Sequence, residues 1–216
     1  MLQNRSFALM LARLIYKNLK MSLKGQRTTT GAIPWEDFKS LIGKLERDGN
    51  YKYCLLISIG VFTGLRIGDI LKLRYTDFSR GDILSVIEQK TKKTRRIKLN
   101  HDLLEIISRV KRKQLVDNDN QFIFLNKYGT KPTDKSWVNV SLKKIFRKYK
   151  VHVDGNVSTH MFRKTLGNRV LKLNNYSNQS IVLLMELFGH SSMGITKRYL
   201  GIREKEVMGV YESLSL

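Results

Sequence analysis

Apolar residues recur at helical spacing through most of the chain and at alternate positions in one short stretch. Phe7, Leu11, Leu14 and Ile15 fall near one face of residues 1–23, with Arg5, Arg13, Lys17 and Lys20 elsewhere, which predicts a basic amphipathic helix. KGQRTTTGA (residues 24–32) reads as a linker. A folded unit is predicted to begin at Ile33, with Pro34 in the first turn of a helix running through Leu45. The apolar run over residues 51–62 predicts a buried helix, ended by Gly64 in a left-handed cap. A short helix should then carry Arg66, Asp69, Ile70 and Leu73. Residues 83–89 and 94–99 flank the basic turn KTKK and predict a β-hairpin. A helix is predicted over residues 102–115, and QFIFL (121–125) reads as a short strand. Thr133 should cap a helix that buries Trp137, Leu142, Ile145 and Phe146. Helices follow over residues 160–173, 179–188 and 194–200, and the tail carries a stripe of Val207, Val210, Tyr211 and Leu214. The expected fold class is α+β, mainly α with a small antiparallel β-sheet on one side. Its expected parts are a basic helix and linker (1–32), a core (33–202) and a C-terminal helix or tail (203–216).

Charge changes the picture more than composition does. Lys and Arg number 40 against 18 Asp and Glu, a formal net charge of +22 on 216 residues. Such an excess points to a polyanionic partner, because basic side chains on phosphates release counterions and steer association. Nucleic acid, an RNA scaffold and an anionic membrane surface all fit that requirement. No run approaches the roughly 20 apolar residues of a membrane span. The apolar run at residues 7–12 is broken by Arg13 and Lys17, unlike a secretory leader, although a membrane-surface helix fits it. The one cysteine, Cys54, lies in the apolar YKYCLLISIGVF. It reads as a core thiol, permits no internal disulfide or thiolate zinc cluster, and fits a reducing cytoplasm.

Four local patterns carry candidate chemistry. TGLRIGDILKLRYTDF (63–78) puts Arg66 just after a glycine-ended helix. QKTKKTRRIKL (89–99) holds six basic residues and no acid. Lys90 has the best-fixed position there, with Lys92 and Lys93 close behind on the turn. In THMFRKT (159–165), His160 and Arg163 stand three apart and share one helix face. In LFGHSSMGITKRYLGI (187–202), Gly189 ends one helix and Ser191 or Ser192 caps the next. His190 then sits at the junction and Tyr199 about two turns further on. Taken singly, each has a plain reading: a surface arginine, a solvated basic hairpin, a chance His-x-x-Arg, a core tyrosine. Their conjunction in one order is what carries meaning: Arg66, Lys90, His160, Arg163, His190, Tyr199.

In that order, with TGLR-x-x-D-x-L-x-L, a KT-bearing hairpin, H-x-x-R-K-T and GHSS-x-x-x-T-x-R-Y, the chain resembles the tyrosine recombinases, the class of phage and mobile-element integrases. The resemblance runs from about Ile33 to Leu200 and implies the tyrosine recombinase catalytic-domain fold for residues 33–202. It implies a site-specific recombinase in which Tyr199 attacks a DNA phosphodiester, leaving a 3′-phosphotyrosyl link and a free 5′-hydroxyl, without metal or ATP. Arg66 and Arg163 would hold the phosphate, Lys90 would protonate the leaving oxygen, and His160 is the candidate base. His190 would donate to a phosphate oxygen and Asp69 would orient the others. Lys92, Lys93, Arg95, Arg96, Lys164, Lys197 and Arg198 are the candidate DNA-binding residues. The implied partners are double-stranded DNA, further copies of the chain in a tetrameric synapse formed from free monomers, and an accessory DNA-bending or core-binding protein. The implied compartment is the bacterial cytoplasm, at the nucleoid. Family members usually carry a helical core-binding domain ahead of this core. Residues 1–32 are too few for one, so a fragment, a minimal recombinase and a remnant are all open. The tail should either dock in a neighbouring protomer or pack on its own core. An idle DNA-binding regulator and a relaxing topoisomerase are the alternative functions.

Overall fold

The computed structural model describes residues 30–79 and 81–214. The helix expected over residues 1–23 lies outside them. Helix α1 (Trp35–Arg47) starts directly after Pro34 and buries Phe38, Leu41, Ile42 and Leu45 as one stripe. Helix α2 (Tyr51–Thr63) is apolar all round and accordingly runs through the centre, buried continuously from Cys54 to Val61. Gly64 closes it at φ 60°, in the left-handed region where glycine is favoured. Helix α3 (Ile67–Ile70) and a 3₁₀ turn (Tyr75–Phe78) lead into the hairpin. Strands β1 (Ile83–Ile87) and β2 (Thr94–Lys98) pair antiparallel, with Ile83 opposite Lys98 and Ile87 opposite Thr94. Helix α4 (His101–Lys113) is capped by Asn100, whose side chain accepts the Asp102 N–H, and buries Leu103, Ile106, Ile107 and Val110.

Three expectations fail in the next stretch. Residues 121–125 form no strand. Phe122 bridges Arg74 and Leu125 bridges Pro132, each as an isolated pair. Phe124 is fully buried, so the apolar pattern serves core packing without a continuous ladder partner. Helix α5 (Lys135–Lys148) is capped by Asp134, which accepts the Ser136 N–H, and not by Thr133. The Thr133 hydroxyl is engaged elsewhere: it donates to the Leu125 carbonyl at 2.8 Å and accepts from Lys52 Nζ at 2.7 Å. The buried stripe is Val138, Leu142, Ile145 and Phe146, and Trp137 is 65% exposed. Adjacent positions lie about 100° apart on a helix, so burying Val138 turns Trp137 outward.

Helices α6 (His160–Leu173), α7 (Asn178–Phe188) and α8 (Met193–Leu200) complete the frame around the site. Ser177 caps α7 and Ser192 caps α8, each accepting a backbone N–H from three residues on. Gly189 (φ 63°) and Gly201 (φ 75°) end α7 and α8. Helices α2 and α6 approach closely at Gly60, where a Cβ would lie 2.4 Å from Phe162 Cδ2. The core forms two clusters. The larger gathers α1, α2, α4, α5 and the start of α6. The smaller holds Leu171, Ile181, Leu184, Phe188 and Leu200, with Tyr199 packed against it. Helix α9 (Ile202–Glu212) follows after Gly201 alone. Val207, Val210, Tyr211 and Leu214 are all exposed, so this stripe is not packed on its own core.

Candidate active site

The left-handed turn at Gly64 releases the chain from α2 into an extended Arg66 that caps the start of α3. Arg66 Nη1 donates to Glu88 Oε2 at 2.8 Å, and Nη2 donates to the Phe188 carbonyl at 3.3 Å. His160 opens α6, and Arg163 follows about one turn later. Arg163 is 5% exposed. Its Nη1 donates to the Gly64 carbonyl at 2.8 Å and its Nη2 to the Phe188 carbonyl at 2.9 Å. The guanidinium also lies 4.7 Å from the Phe188 ring centroid. Both acceptors sit at helix C-termini, where carbonyls lack partners within the helix and carry partial negative charge.

The turn at Gly189 presents His190, whose Nδ1 lies 3.1 Å from Thr196 Oγ1. Tyr199 comes two turns into α8. Its hydroxyl donates to the His160 main-chain carbonyl at 3.2 Å. Its ring meets Phe188 at 5.5 Å and His190 at 5.2 Å, both edge-on. On the opposite wall, buried Asp69 accepts the Gln89 N–H at 2.9 Å and Gln89 Nε2 donates to the Gly68 carbonyl. These two bonds fix Gln89, the residue immediately before Lys90, to α3. Arg66, Asp69, Lys90, His160, Arg163, His190 and Tyr199 all line one cavity of about 400 Å³. A larger groove of about 940 Å³ lies elsewhere, near Trp35 and Tyr176, and includes none of these seven.

The cavity is electrostatically positive, and its titrating groups respond. Desolvation, then the charges of Arg163 and Arg66, lowers the pKa of both histidines, so both are neutral at pH 7. Burial raises the Tyr199 pKa above its ordinary value, opposed by the charge and hydrogen bonding of Arg163. The expected DNA-binding residues divide. Lys92, Lys93, Arg96 and Arg198 are exposed. Lys164 lies 5.5 Å from the Tyr199 ring centroid, and Lys197 is paired with Glu206 at 2.8 Å. Arg95 corrects its reading. It turns inward, donating to the Thr63 carbonyl at 2.8 Å and facing Glu88 at 3.7 Å. Strand register explains it, since Arg95 shares a face with Ile97, which pairs with buried Leu84. Four residues at the site were given no role from the sequence: Glu88, Gln89, Thr91 and the cavity-lining Lys135. Glu88 carried one visible signal, as an acid two residues ahead of a run of basic residues.

Residues 33–206 match the phage integrase family, and the chain belongs to it. In class it is a tyrosine-type site-specific recombinase with the tyrosine recombinase catalytic-domain fold. The probable integrase/recombinase YoeC of Bacillus subtilis (strain 168) is 30% identical over 173 residues, 80% of this chain and 87% of that protein. A tyrosine recombinase of Thermosipho africanus (strain TCF52B) is 26% identical over 215 residues, 94% of this chain and 70% of that one. Among solved structures, the XerA recombinase superposes with a TM-score of 0.62 at 20% identity, covering 100% of this chain and 78% of that one. The XerH site-specific recombinase bound to its difH substrate gives 0.60 at 19% identity, covering 89% and 56%.

Arg163→Lys should uncouple the two clusters. A lysine cannot reach both carbonyls in forked geometry, and leaving one buried acceptor unpaired costs about 1–3 kcal/mol. Amide hydrogen exchange in α7 and α8 should quicken while α1 stays protected. Unchanged exchange in α7 would show that this tie does not hold the smaller cluster.

Proposed function

We propose that this chain cuts and rejoins double-stranded DNA at specific sites through a 3′-phosphotyrosyl intermediate on Tyr199. The observation that supports it best is the convergence of two arginines, a lysine, two neutral histidines and a tyrosine hydroxyl on one cavity. In the resting protein the Tyr199 hydroxyl rests on a main-chain carbonyl. Its ordinary pKa near 10 makes the phenolate cost about 4 kcal/mol at pH 7, and burial adds to that. The neutral ring of His160 accepts the proton as the hydroxyl swings to the phosphorus. Arg66 and Arg163 each keep unused N–H donors for the non-bridging oxygens of the five-coordinate state. His190 donates to one of those oxygens. Lys90 protonates the 5′-oxygen as the P–O bond breaks. The phosphodiester energy is conserved in the tyrosyl link, so the 5′-hydroxyl of a partner strand reverses the step without metal or ATP.

The surface suits the substrate. The net charge of +22 and the exposed Lys92, Lys93, Arg96 and Arg198 favour the phosphate backbone. The uncovered row on α9 docks on a neighbouring protomer, which assembles the DNA-bound complex from free monomers.

A suicide duplex, nicked near the cleavage point, should trap a covalent protein–DNA adduct that Tyr199→Phe abolishes. Retained DNA binding with no adduct in the unaltered protein would overturn the enzymatic reading in favour of an idle regulator. Strand exchange between two labelled sites separates a recombinase from a relaxing enzyme. Removal of residues 204–216 should leave binding to a single half-site intact and abolish higher assembly. Unchanged assembly would remove α9 docking from the account. The acid limb of the kcat/KM profile should fall below the ordinary histidine value of about 6.5, because both depressed histidines gain protons only in more acid solution. For the same reason fold stability should be full above that pH and decline as pH falls through the depressed values. An acid limb above pH 7 would remove His160 as the base.

A further inference from the structure

Glu88 is the buried acid that the chemistry above leaves without a task. It is 8% exposed and follows directly on β1. One of its oxygens, Oε2, accepts both Arg66 Nη1 and Thr91 Oγ1, each at 2.8 Å. The other lies 3.7 Å from Arg95 Nη1. Its main chain closes the turn as well. The Lys92 N–H donates to the Glu88 carbonyl at 2.9 Å, and the Glu88 N–H donates to the Lys93 carbonyl at 3.0 Å. Lys90 lies inside that closed turn, next to Thr91. Burial alone would raise the Glu88 pKa, but the Thr91 hydrogen bond and the Arg66 charge outweigh it and hold the group ionised.

We propose that Glu88 is a positioning residue that couples the Arg66 phosphate clamp to the turn carrying Lys90. Arg66 and Lys90 act on different oxygens of one phosphate and come from different elements. A single carboxylate oxygen is their shared reference point, reaching one through a guanidinium and the other through a threonine hydroxyl. It sets the distance between the charge that holds the phosphate and the proton that releases the 5′-oxygen. The inference rests on the phosphotyrosyl reading, and specifically on Lys90 as the proton donor.

Charge and position can be separated experimentally. Glu88→Gln keeps the shape and removes a negative charge beside the phosphate site. DNA affinity should therefore hold or rise while single-turnover cleavage falls about 10- to 100-fold, the scale of a small misplacement of reacting groups. A parallel loss of affinity and cleavage would make Glu88 a structural ion-pair partner only and overturn the proposal. Thr91→Val removes the link to the turn and leaves the Arg66 pair in place. On ordinary DNA it should slow cleavage. On DNA with sulfur replacing the bridging 5′-oxygen it should cleave like the unaltered protein, because a thiolate leaves without a proton. Lys90→Ala on the same two substrates is the control. If the sulfur substrate does not rescue Lys90→Ala, the proton-donor reading itself fails. If it rescues Lys90→Ala but Thr91→Val is equally slow on both substrates, or normal on both, the coupling fails. The valine variant decides the matter even where Glu88→Gln does not fold.

Discussion

The Arg163 guanidinium ties the two parts of the core together at the site. Two apolar clusters meet at the site, one built on α2 and one on α7, and each presents the carbonyl-rich end of a helix to the seam. Arg163 donates to both ends at once. Buried positive charge is expensive unless it is hydrogen-bonded. Here it is bonded to neutral carbonyls, with no carboxylate on Arg163 itself, so its charge is not cancelled. Burial lowers the Arg163 pKa without bringing it near neutrality, since an arginine keeps its proton in proteins. The group that joins the halves therefore also keeps the cavity positive, adding to the desolvation that lowers the pKa of His160 and His190 and opposing the burial that raises that of Tyr199.

Arg66 is handled differently. It shares the Phe188 carbonyl with Arg163, yet its main partner is an ionised carboxylate. The two arginines thus line the same cavity with unequal freedom. Arg163 is anchored by packing on both sides, and Arg66 by one acid that also serves the hairpin. The hairpin contributes little to the core beyond Leu84 and Leu99. Its value lies in where its turn is held, by Asp69 and Gly68 through Gln89 and by Glu88 through Thr91.

Much of this was legible in the sequence because helical periodicity and glycine caps are local signals. The ends of α2 and α7 at Gly64 and Gly189 follow from the need for positive φ. Those caps place Arg66, His190 and Tyr199 correctly before any tertiary contact is known. Misreadings arose where a local signal had several outlets. An apolar run such as QFIFL satisfies a core without a strand partner. A threonine ahead of a helix caps it only if its hydroxyl is free, and Thr133 spends its hydroxyl on Leu125 and Lys52. Arg95 and Arg96 are alike in composition, and only their strand register sends one inward. Glu88 was hidden because its meaning depends on side chains that only the fold brings within reach, above all Arg66, and not on the pattern of its immediate neighbours.

One connection has mechanical weight. Gly201 is both the last cap of α8 and the first of α9, at φ 75°. No loop separates the helix of Tyr199 from α9, so there is no slack to absorb a swing of α9. Any reorientation of that helix must be taken up at a single pivot two residues beyond Tyr199, or be transmitted as torque to the tyrosine itself. Helix α9 is in that sense a lever with the Tyr199 hydroxyl at its short end.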